Sequence, residues 1–328
     1  MPVIRWGIIG CGDVTEVKSG PAFQKAANSQ LVAVMRRNGQ LAADYARRHG
    51  VPKWYDNAQQ LIDDPEVDAV YIATPPCSHS EYALLVAAAG KPVYVEKPMA
   101  RNFMECQIMI DACRKAEVPL FVAYYRRLLP KFSKVKDLMD SGIIGEIRFV
   151  NTILHQPPEP DLKHPWHLNP KISGGGIFLD MACHMLDLLD YLLGPIKTVR
   201  GTASNQAGLY SVEDLVCGEF SFESGVEGIG AWCFTSFETC DRTEVIGSKG
   251  SISFGTFNSD PITLKTADGT EQLPIINPIH VQLPLIQSIV KELNGAAQCP
   301  STGLTAARTN WVMDQFLDEY RQKYQCLK

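Results

Sequence analysis

A surplus of positive charge is missing from this chain. Its 31 lysines and arginines face 36 aspartates and glutamates, a formal net charge of -5. That balance argues against nucleic acid as the main partner, because phosphate binding wants a basic surface. Also missing is any uninterrupted apolar run of about 18 residues, the length that a membrane-spanning helix needs. The opening MPVIRWGIIGCG has no basic segment followed by a long apolar core, so it does not read as a signal peptide. Ten cysteines are present, scattered from Cys11, Cys77, Cys106, Cys113 and Cys183 onward, and none forms a C-x-x-C pair. In a chain of this length without an export signal they read as reduced thiols used as small core residues, and the expected location is cytoplasmic. There is no internal repeat and no low-complexity segment. A hydrophobic share of 45% over 328 residues is enough for about two domains with full cores.

What is present has two rhythms. Up to about residue 125, short apolar runs (VIRWGIIG, LVAVM, VDAVYIAT, PVYVE, VPLFVAYY) alternate with helical patterns such as GQLAADYARRHG and NFMECQIMIDACRKAE. Near-continuous apolar strands separated by helices predict a parallel, doubly wound sheet covered on both faces. Beyond that point GEIRFVNTILH, TVRGTASNQA, LVCGEFSFESG, VEGIGAWCFTSF and RTEVIGSKGSISF alternate in period two, with one helix inserted near 179–193 and an amphipathic helix at the end. The fold class is therefore α/β for residues 1–123. An α+β domain with a large, mostly antiparallel open sheet is expected over 124–328.

The first strand runs into GIIGCGDVT. Gly10 and Gly12 fit the first two positions of a dinucleotide-binding G-x-G-x-x-G turn, Thr15 stands at the third, and Asp13 and Val14 open the helix whose N–H groups would face a pyrophosphate. The carboxylate usual at the end of the second strand, which accepts from a ribose 2′-hydroxyl, is absent. Arg36 and Arg37 stand there, and two guanidiniums suit a 2′-phosphate. This favours NADP over NAD; a solvated basic turn is the bland alternative. In YIATPPCSH, Thr74, Pro75, Pro76 and His79 follow the end of the fourth strand, where such folds bind ligands. Glu96 and Lys97 end the next strand, in PVYVEKPM, and a strand that ends in charge ends either at solvent or at a site.

In GGGIFLDMACHMLDLLDYLLG, Asp180, His184 and Asp187 fall at i, i+4 and i+7, on one face of a helix whose other positions are apolar. The glycine triplet is expected to let backbone come close to a ligand. Asp180 and His184 could also be a buried structural pair, or could join the imidazoles of HPWH at a zinc ion. No Cys–His cluster accompanies them, and hydride exchange between alcohol and carbonyl needs no metal, so no metal is expected.

GIIGCGDVT, ATPPCSH, VEKP and GGGIFLDMACHMLDLL, in this order over nearly the whole chain, resemble the Gfo/Idh/MocA family of oxidoreductases. The resemblance implies a Rossmann domain followed by a substrate domain whose open sheet packs against another subunit as a homodimer or homotetramer. It implies that Lys97, Asp180 and His184 carry the chemistry, and that Trp166 is the tryptophan ahead of the glycine triplet. Where many members follow that tryptophan with arginine, this chain has His167. In this reading His184 exchanges a proton near neutral pH, Asp180 orients it or meets a substrate hydroxyl, and Lys97 holds the substrate oxygen. Which of Lys97 and His184 delivers the proton stays open. Tyr125 and Arg126, leaving the last strand of the first domain, either hydrogen-bond a polyhydroxylated substrate or form a surface connector. The proline-rich HQPPEPDLKHPWH is expected to be a specificity loop. The expected activity is NADP-dependent hydride transfer to or from a sugar, polyol or related hydroxy or carbonyl compound. A nicotinamide-dependent glycosidase and a non-catalytic sugar sensor are the alternatives.

Overall fold

The computed structural model describes residues 1–158 and 165–325 and divides the chain into two compact units. The first comprises Met1–Leu129 together with Pro278–Ala307, the second Pro130–Asn277 together with Arg308–Lys328. This differs from an expected division at 123/124, because residues 278–307 belong with the dinucleotide-binding half.

The first unit opens with β1 (Ile4–Ile9), α1 (Asp13–Val17), α2 (Gly20–Lys25), β2 (Ser29–Met35), α3 (Gly39–His49), β3 (Lys53–Tyr55), α4 (Ala58–Asp63) and β4 (Ala69–Ile72). It continues with α5 (His79–Ala88), β5 (Val93–Val95), α6 (Phe103–Lys115) and β6 (Leu120–Val122). The six strands are parallel in the order β3-β2-β1-β4-β5-β6, the dinucleotide-binding arrangement. Leu31–Met35, Ala69–Ile72 and Val93–Val95 are buried at every position, which explains why they read as unbroken apolar runs. Helices start where the sequence offers an acceptor: the side chains of Asn38, Asn57 and Asn102 take N–H bonds from Leu41, Gln59 and Glu105. Trp6, Phe23, Tyr71 and Tyr94 form an aromatic cluster between α2 and the sheet, with successive ring centroids 4.9, 5.3 and 4.6 Å apart, tilted in the first two pairs and stacked in the third.

The second unit holds α7 (Pro130–Asp140), β7 (Ile147–His155), α8 (Pro170–Ser173) and α9 (Ile177–Leu193). Seven strands follow: β8 (Ile196–Ser204), β9 (Leu215–Phe222), β10 (Glu227–Cys233), β11 (Cys240–Gly247), β12 (Gly250–Phe254), β13 (Ile262–Thr266) and β14 (Gly269–Leu273). They form one sheet in the order β14-β13-β12-β11-β7-β10-β9-β8, antiparallel except for the β7–β10 pair. Val150, Thr152 and Leu154 face inward from β7, as do Trp232 from β10 and Val245 from β11. Phe149, Ile153, Ile229 and Ile246 alternate with them on the opposite face, where Ile229 and Ile246 are exposed. The remaining helices are α10 (Leu283–Leu293), in the first unit, and α11 (Gly303–Gln325). The stretch Pro170–Leu193, α8 together with α9, is long and apolar enough to cross a membrane, but most of it is buried inside the second unit. Phe178 on α9 lies 5.2 Å from Trp232 and 6.0 Å from Phe316 on α11. All described cysteines are free thiols.

β3, β13 and β14 were not legible as strands: β3 has three residues, and β14 alternates no apolar face (GTEQL). Helices α2, α7, α8 and α10 are not legible either, α2 and α8 because six and four residues carry too little periodicity.

Candidate active site

In the first unit the candidate residues gather at the carboxyl ends of neighbouring strands. Gly10, just past β1, has φ of +92°, and a Cβ there would lie 2.7 Å from Thr74 Cγ2, so this position requires glycine. At Gly12 a Cβ would meet nothing nearer than the Gly10 oxygen at 3.8 Å; the space before it is open. Thr15, in place of the third glycine, is fully buried and closes the turn. Its Oγ1 donates to the Gly12 carbonyl at 2.7 Å and accepts from the Gly12 N–H at 3.0 Å, while its own carbonyl takes the Tyr45 hydroxyl at 2.8 Å. An open cradle at Gly12, with Asp13 and Val14 starting α1 behind it, fits the pyrophosphate of a dinucleotide.

Arg36 and Arg37 follow β2 directly, exposed, and neither makes an ion pair among the described residues. The field of Arg36 reaches the glycine turn: burial pushes the Cys11 thiol up to about 11, and the guanidinium is the leading influence in the other direction. Asn38, beside the two arginines, spends its side chain capping α3.

Thr74, Pro75 and Pro76 follow β4, where Ser78 Oγ donates to Thr74 Oγ1 at 2.8 Å. His79 departs from the expectation that it contacts the cofactor. It is fully buried, with Nε2 2.6 Å from the Thr74 carbonyl and Nδ1 3.1 and 3.2 Å from the carbonyls of Pro98 and Met99. Both ring nitrogens face main chain, so His79 ties the end of β4 to the turn after Lys97. Burial lowers its pKa, favouring the neutral ring.

Glu96 likewise turns inward. Its carboxylate accepts from the Tyr71 hydroxyl, from Gln282 Nε2 at 2.6 Å and from the Lys97 N–H at 3.0 Å. Gln282 in turn accepts from the Tyr94 hydroxyl at 2.8 Å. Burial first, and then the charge of Glu96, holds the Tyr71 hydroxyl far above its ordinary pKa, so it remains a donor. Lys97 is thus seated on a buried polar network, with a cis peptide to Pro98. Because β1, β4 and β5 are neighbours, Gly10–Gly12, Thr74–Pro76 and Glu96–Lys97 end side by side. Tyr125, buried, and Arg126, whose guanidinium lies 5.4 Å over the Tyr125 ring, follow β6 in a short turn.

In the second unit Asp180 stands half-buried in the first turn of α9, with His184 and Asp187 buried one and two turns on. The His184 ring meets Phe257 edge-on at 5.9 Å. Asp241 holds that phenylalanine's loop by accepting the N–H groups of Thr256, Phe257 and Asn258 at 2.9, 2.6 and 3.0 Å. Trp166 and His167 lie in a short turn ahead of α8, their rings 3.8 Å apart. His164 and the middle of the proline-rich segment fall outside the described residues. Among the described residues no three His, Cys, Asp or Glu side chains gather as a metal site.

The glycine triplet corrects a second expectation. A Cβ at Gly176 would come 2.7 Å from the Glu213 carbonyl and 3.0 Å from its Oε1, and one at Gly175 would come 2.9 Å from Leu179 Cδ1. At these two glycines the room is taken by Leu179 and by the main chain and carboxyl of Glu213. Sequence reasoning also missed Gln282, Glu213, Asp241 and Phe257. Gln282 lies in HVQLPLIQ with no local motif, and Glu213 in VEDL reads as a solvated turn.

Comparison with known proteins agrees with this arrangement. The sequence model described as "Oxidoreductase family, NAD-binding Rossmann fold" matches residues 4–124, and the "GFO/IDH/MocA C-terminal domain" matches residues 132–253. The chain is 42% identical to Oxidoreductase P35 of Formosa agariphila over 95% of its own length and 98% of that protein's. It is 30% identical to the 1,5-anhydro-D-fructose reductase of Ensifer adhaerens over 91% of each chain. Among solved structures, a levoglucosan dehydrogenase in complex with NADH and L-sorbose superposes with a TM-score of 0.89 over 98% of each chain at 24% identity, a likeness of fold.

Proposed function

This chain belongs to the Gfo/Idh/MocA family of oxidoreductases, and from that premise we propose that it transfers a hydride between NADP and a sugar, polyol or related hydroxy or carbonyl compound. The observation that carries the reading is the shared edge of the first sheet, where the open glycine turn, Thr74–Pro76 and Lys97 end on adjacent strands. When bound, the nicotinamide supplies or takes the hydride, and the protein's part is position, charge and the proton.

Lys97 would hold the substrate oxygen and stabilise alkoxide character. Glu96 and Gln282 act behind it by fixing its main chain. In the second unit His184 would exchange the proton, within an environment set by Asp180 and by the edge of Phe257. Tyr125, Arg126, Trp166 and His167 would contact the hydroxyls of the substrate. The polyhydroxylated class is supported by the 1,5-anhydro-D-fructose reductase relative and by these polar and aromatic side chains.

NADP preference rests on Arg36 and Arg37, two exposed guanidiniums where a 2′-phosphate would lie. NAD remains the alternative, since the matching family description reads NAD-binding. A subunit contact through the outer face of the large sheet, as a homodimer or homotetramer, would cover Phe149, Ile153, Ile229 and Ile246.

The test is a fluorescence titration of NADPH and NADH, at fixed salt, against wild type and an Arg36→Ala, Arg37→Ala double variant. Tighter NADPH binding that the double variant loses is expected, amounting to about tenfold or more if two charge-assisted contacts are removed. Equal binding of both cofactors by both proteins would overturn the NADP assignment. Absence of turnover with every sugar, polyol and carbonyl compound offered would overturn the enzymatic one.

A further inference from the structure

Glu213 is a buried carboxyl for which the chemistry above has no use. It lies just ahead of β9, is 2% exposed, and its Oε1 accepts from the N–H of Gly176, the residue that caps α9, at 2.6 Å. The neighbouring glycines admit it: a Cβ at Gly175 or Gly176 would come 3.1 or 3.0 Å from that same oxygen. The rest of the helix start is tied down as well. Arg321 donates to the Gly174 carbonyl at 2.9 Å, and Ser173 Oγ donates to the Gly175 carbonyl at 2.6 Å. A buried carboxyl is costly to keep unless it is hydrogen-bonded, and this one sits at the positive end of the helix that carries Asp180 and His184.

We propose that Glu213 is a positioning residue for Asp180 and His184: its buried carboxyl holds the glycine-built start of their helix, and its charge sets the field along the first turns. The proposal rests on the reading of α9 as the acid–base helix. Burial raises this carboxyl to about 7, against the lowering effects of the Gly176 N–H and Arg321. The charged and titratable groups facing it are Arg321 of α11, itself paired with Asp314 at 2.6 Å, and Asp214 and Tyr210 of its own segment. Asp214 is in turn held by the N–H groups of Gln206 and Ala207, both at 2.8 Å. When Glu213 is neutral, the helix dipole favours an anion at Asp180. When Glu213 is ionised, its charge cancels part of that field, and Asp180 and His184 both hold protons more tightly.

The experiment uses the full chain with Glu213→Gln, which keeps an acceptor but cannot ionise, and Glu213→Ala, which removes it. The first readout needs no turnover: the imidazole resonances of His184 are followed against pH by NMR. In wild type they are expected to show, besides any titration of their own, an inflection near pH 7 that E213Q lacks. The second readout is the pH profile of hydride transfer. E213Q is expected to shift it by several tenths of a unit to about one unit, with nucleotide affinity unchanged. E213A is expected to lower kcat several-fold more than KM changes, and E213Q to recover most of that loss. Identical His184 titrations in wild type and E213Q would overturn the proposal, as would equal kcat losses in both variants. If the inflection is present and no substrate turns over, the functional reading fails while the coupling stands. Should E213A fail to fold, E213Q decides alone.

Discussion

Replacing Gln282 with methionine tests whether the buried network beneath Lys97 holds that lysine in place. Gln282 is fully buried and donates to Glu96 Oε1 at 2.6 Å and to the Tyr71 hydroxyl at 3.3 Å, while accepting from Tyr94 at 2.8 Å. Methionine keeps the unbranched chain and nearly the volume, and removes both polar functions. Glu96 then loses a charge-assisted donor, a cost of about 1.5–3 kcal/mol, and the Tyr94 hydroxyl loses its acceptor, a further cost of about 1–3 kcal/mol. Because Tyr71 still donates to Glu96, the lower half of that range applies, about 3 kcal/mol in all. In a unit of this size each kcal/mol lowers Tm by about 2–4 °C, so a drop of about 6–12 °C is expected. Glu96 Oε2 also accepts from the Lys97 N–H at 3.0 Å, so a carboxylate that re-aims drags the lysine with it. A displacement of about 1 Å at a reacting group costs up to about a hundredfold in rate. Calorimetry reads the first effect and single-turnover hydride transfer the second, with nucleotide affinity at the glycine turn retained. A Q282M protein that melts within about 2 °C of wild type and turns over at the same rate would refute the reasoning.

Two further outcomes follow. The carboxyl of Glu213 titrates near 4.5 when unfolded and at about 7 when folded. Between those values the native state keeps a proton the unfolded chain has lost, so this group's contribution falls as pH rises, by about 3 kcal/mol across the window. Melting curves from pH 5 to 8 should show E213Q gaining on wild type by several degrees, whereas a constant difference would contradict the buried carboxyl. Ile229→Glu combined with Ile246→Glu places charge on the outer face of the large sheet, where these residues are 44% and 36% exposed. Light scattering is expected to show an assembly of wild type and a monomer of the double variant with little change in melting; equal masses would remove the sheet as the contact.

The parallel half of the fold was the more legible because its strands are buried on both faces, and nothing but a continuous apolar run satisfies that. Ala69–Ile72 is four residues long and still unmistakable. The second sheet was readable wherever one face is core: Thr152, Leu154, Trp232 and Val245 impose the period of two. β14 imposes none, since GTEQL is exposed along most of its length, and an edge strand that buries nothing leaves no pattern to find. The chain's return at 278–307 to the first unit was invisible for a related reason. Four apolar positions of α10, Leu285, Ile286, Ile289 and Val290, announce a buried face without saying which unit buries it.

The site shows the same limit at the scale of single side chains. Gly10, Arg36 and Lys97 are singled out by what stands next to them, a strand end, a tight turn or a proline, and at Gly10 the backbone does require glycine. Glu96 and His79 are expected at the cofactor, and in the structure both are buried and bonded within the protein. A charged or titratable residue beside a motif is read as reaching outward, yet the polar atoms of both turn inward, Glu96 to Tyr71 and Gln282 and the His79 ring to the carbonyls of Thr74, Pro98 and Met99, and most of these partners lie on other segments. The glycine triplet went the same way. A stretch without Cβ atoms says that something must come close, and the local sequence cannot say whether that is a ligand or another part of the chain. Here it is Glu213, 37 positions on from Gly176. Buried polar groups demand partners wherever the chain can provide them, so in this protein the residues proposed to face the chemistry are legible locally, and those that hold them in place are not.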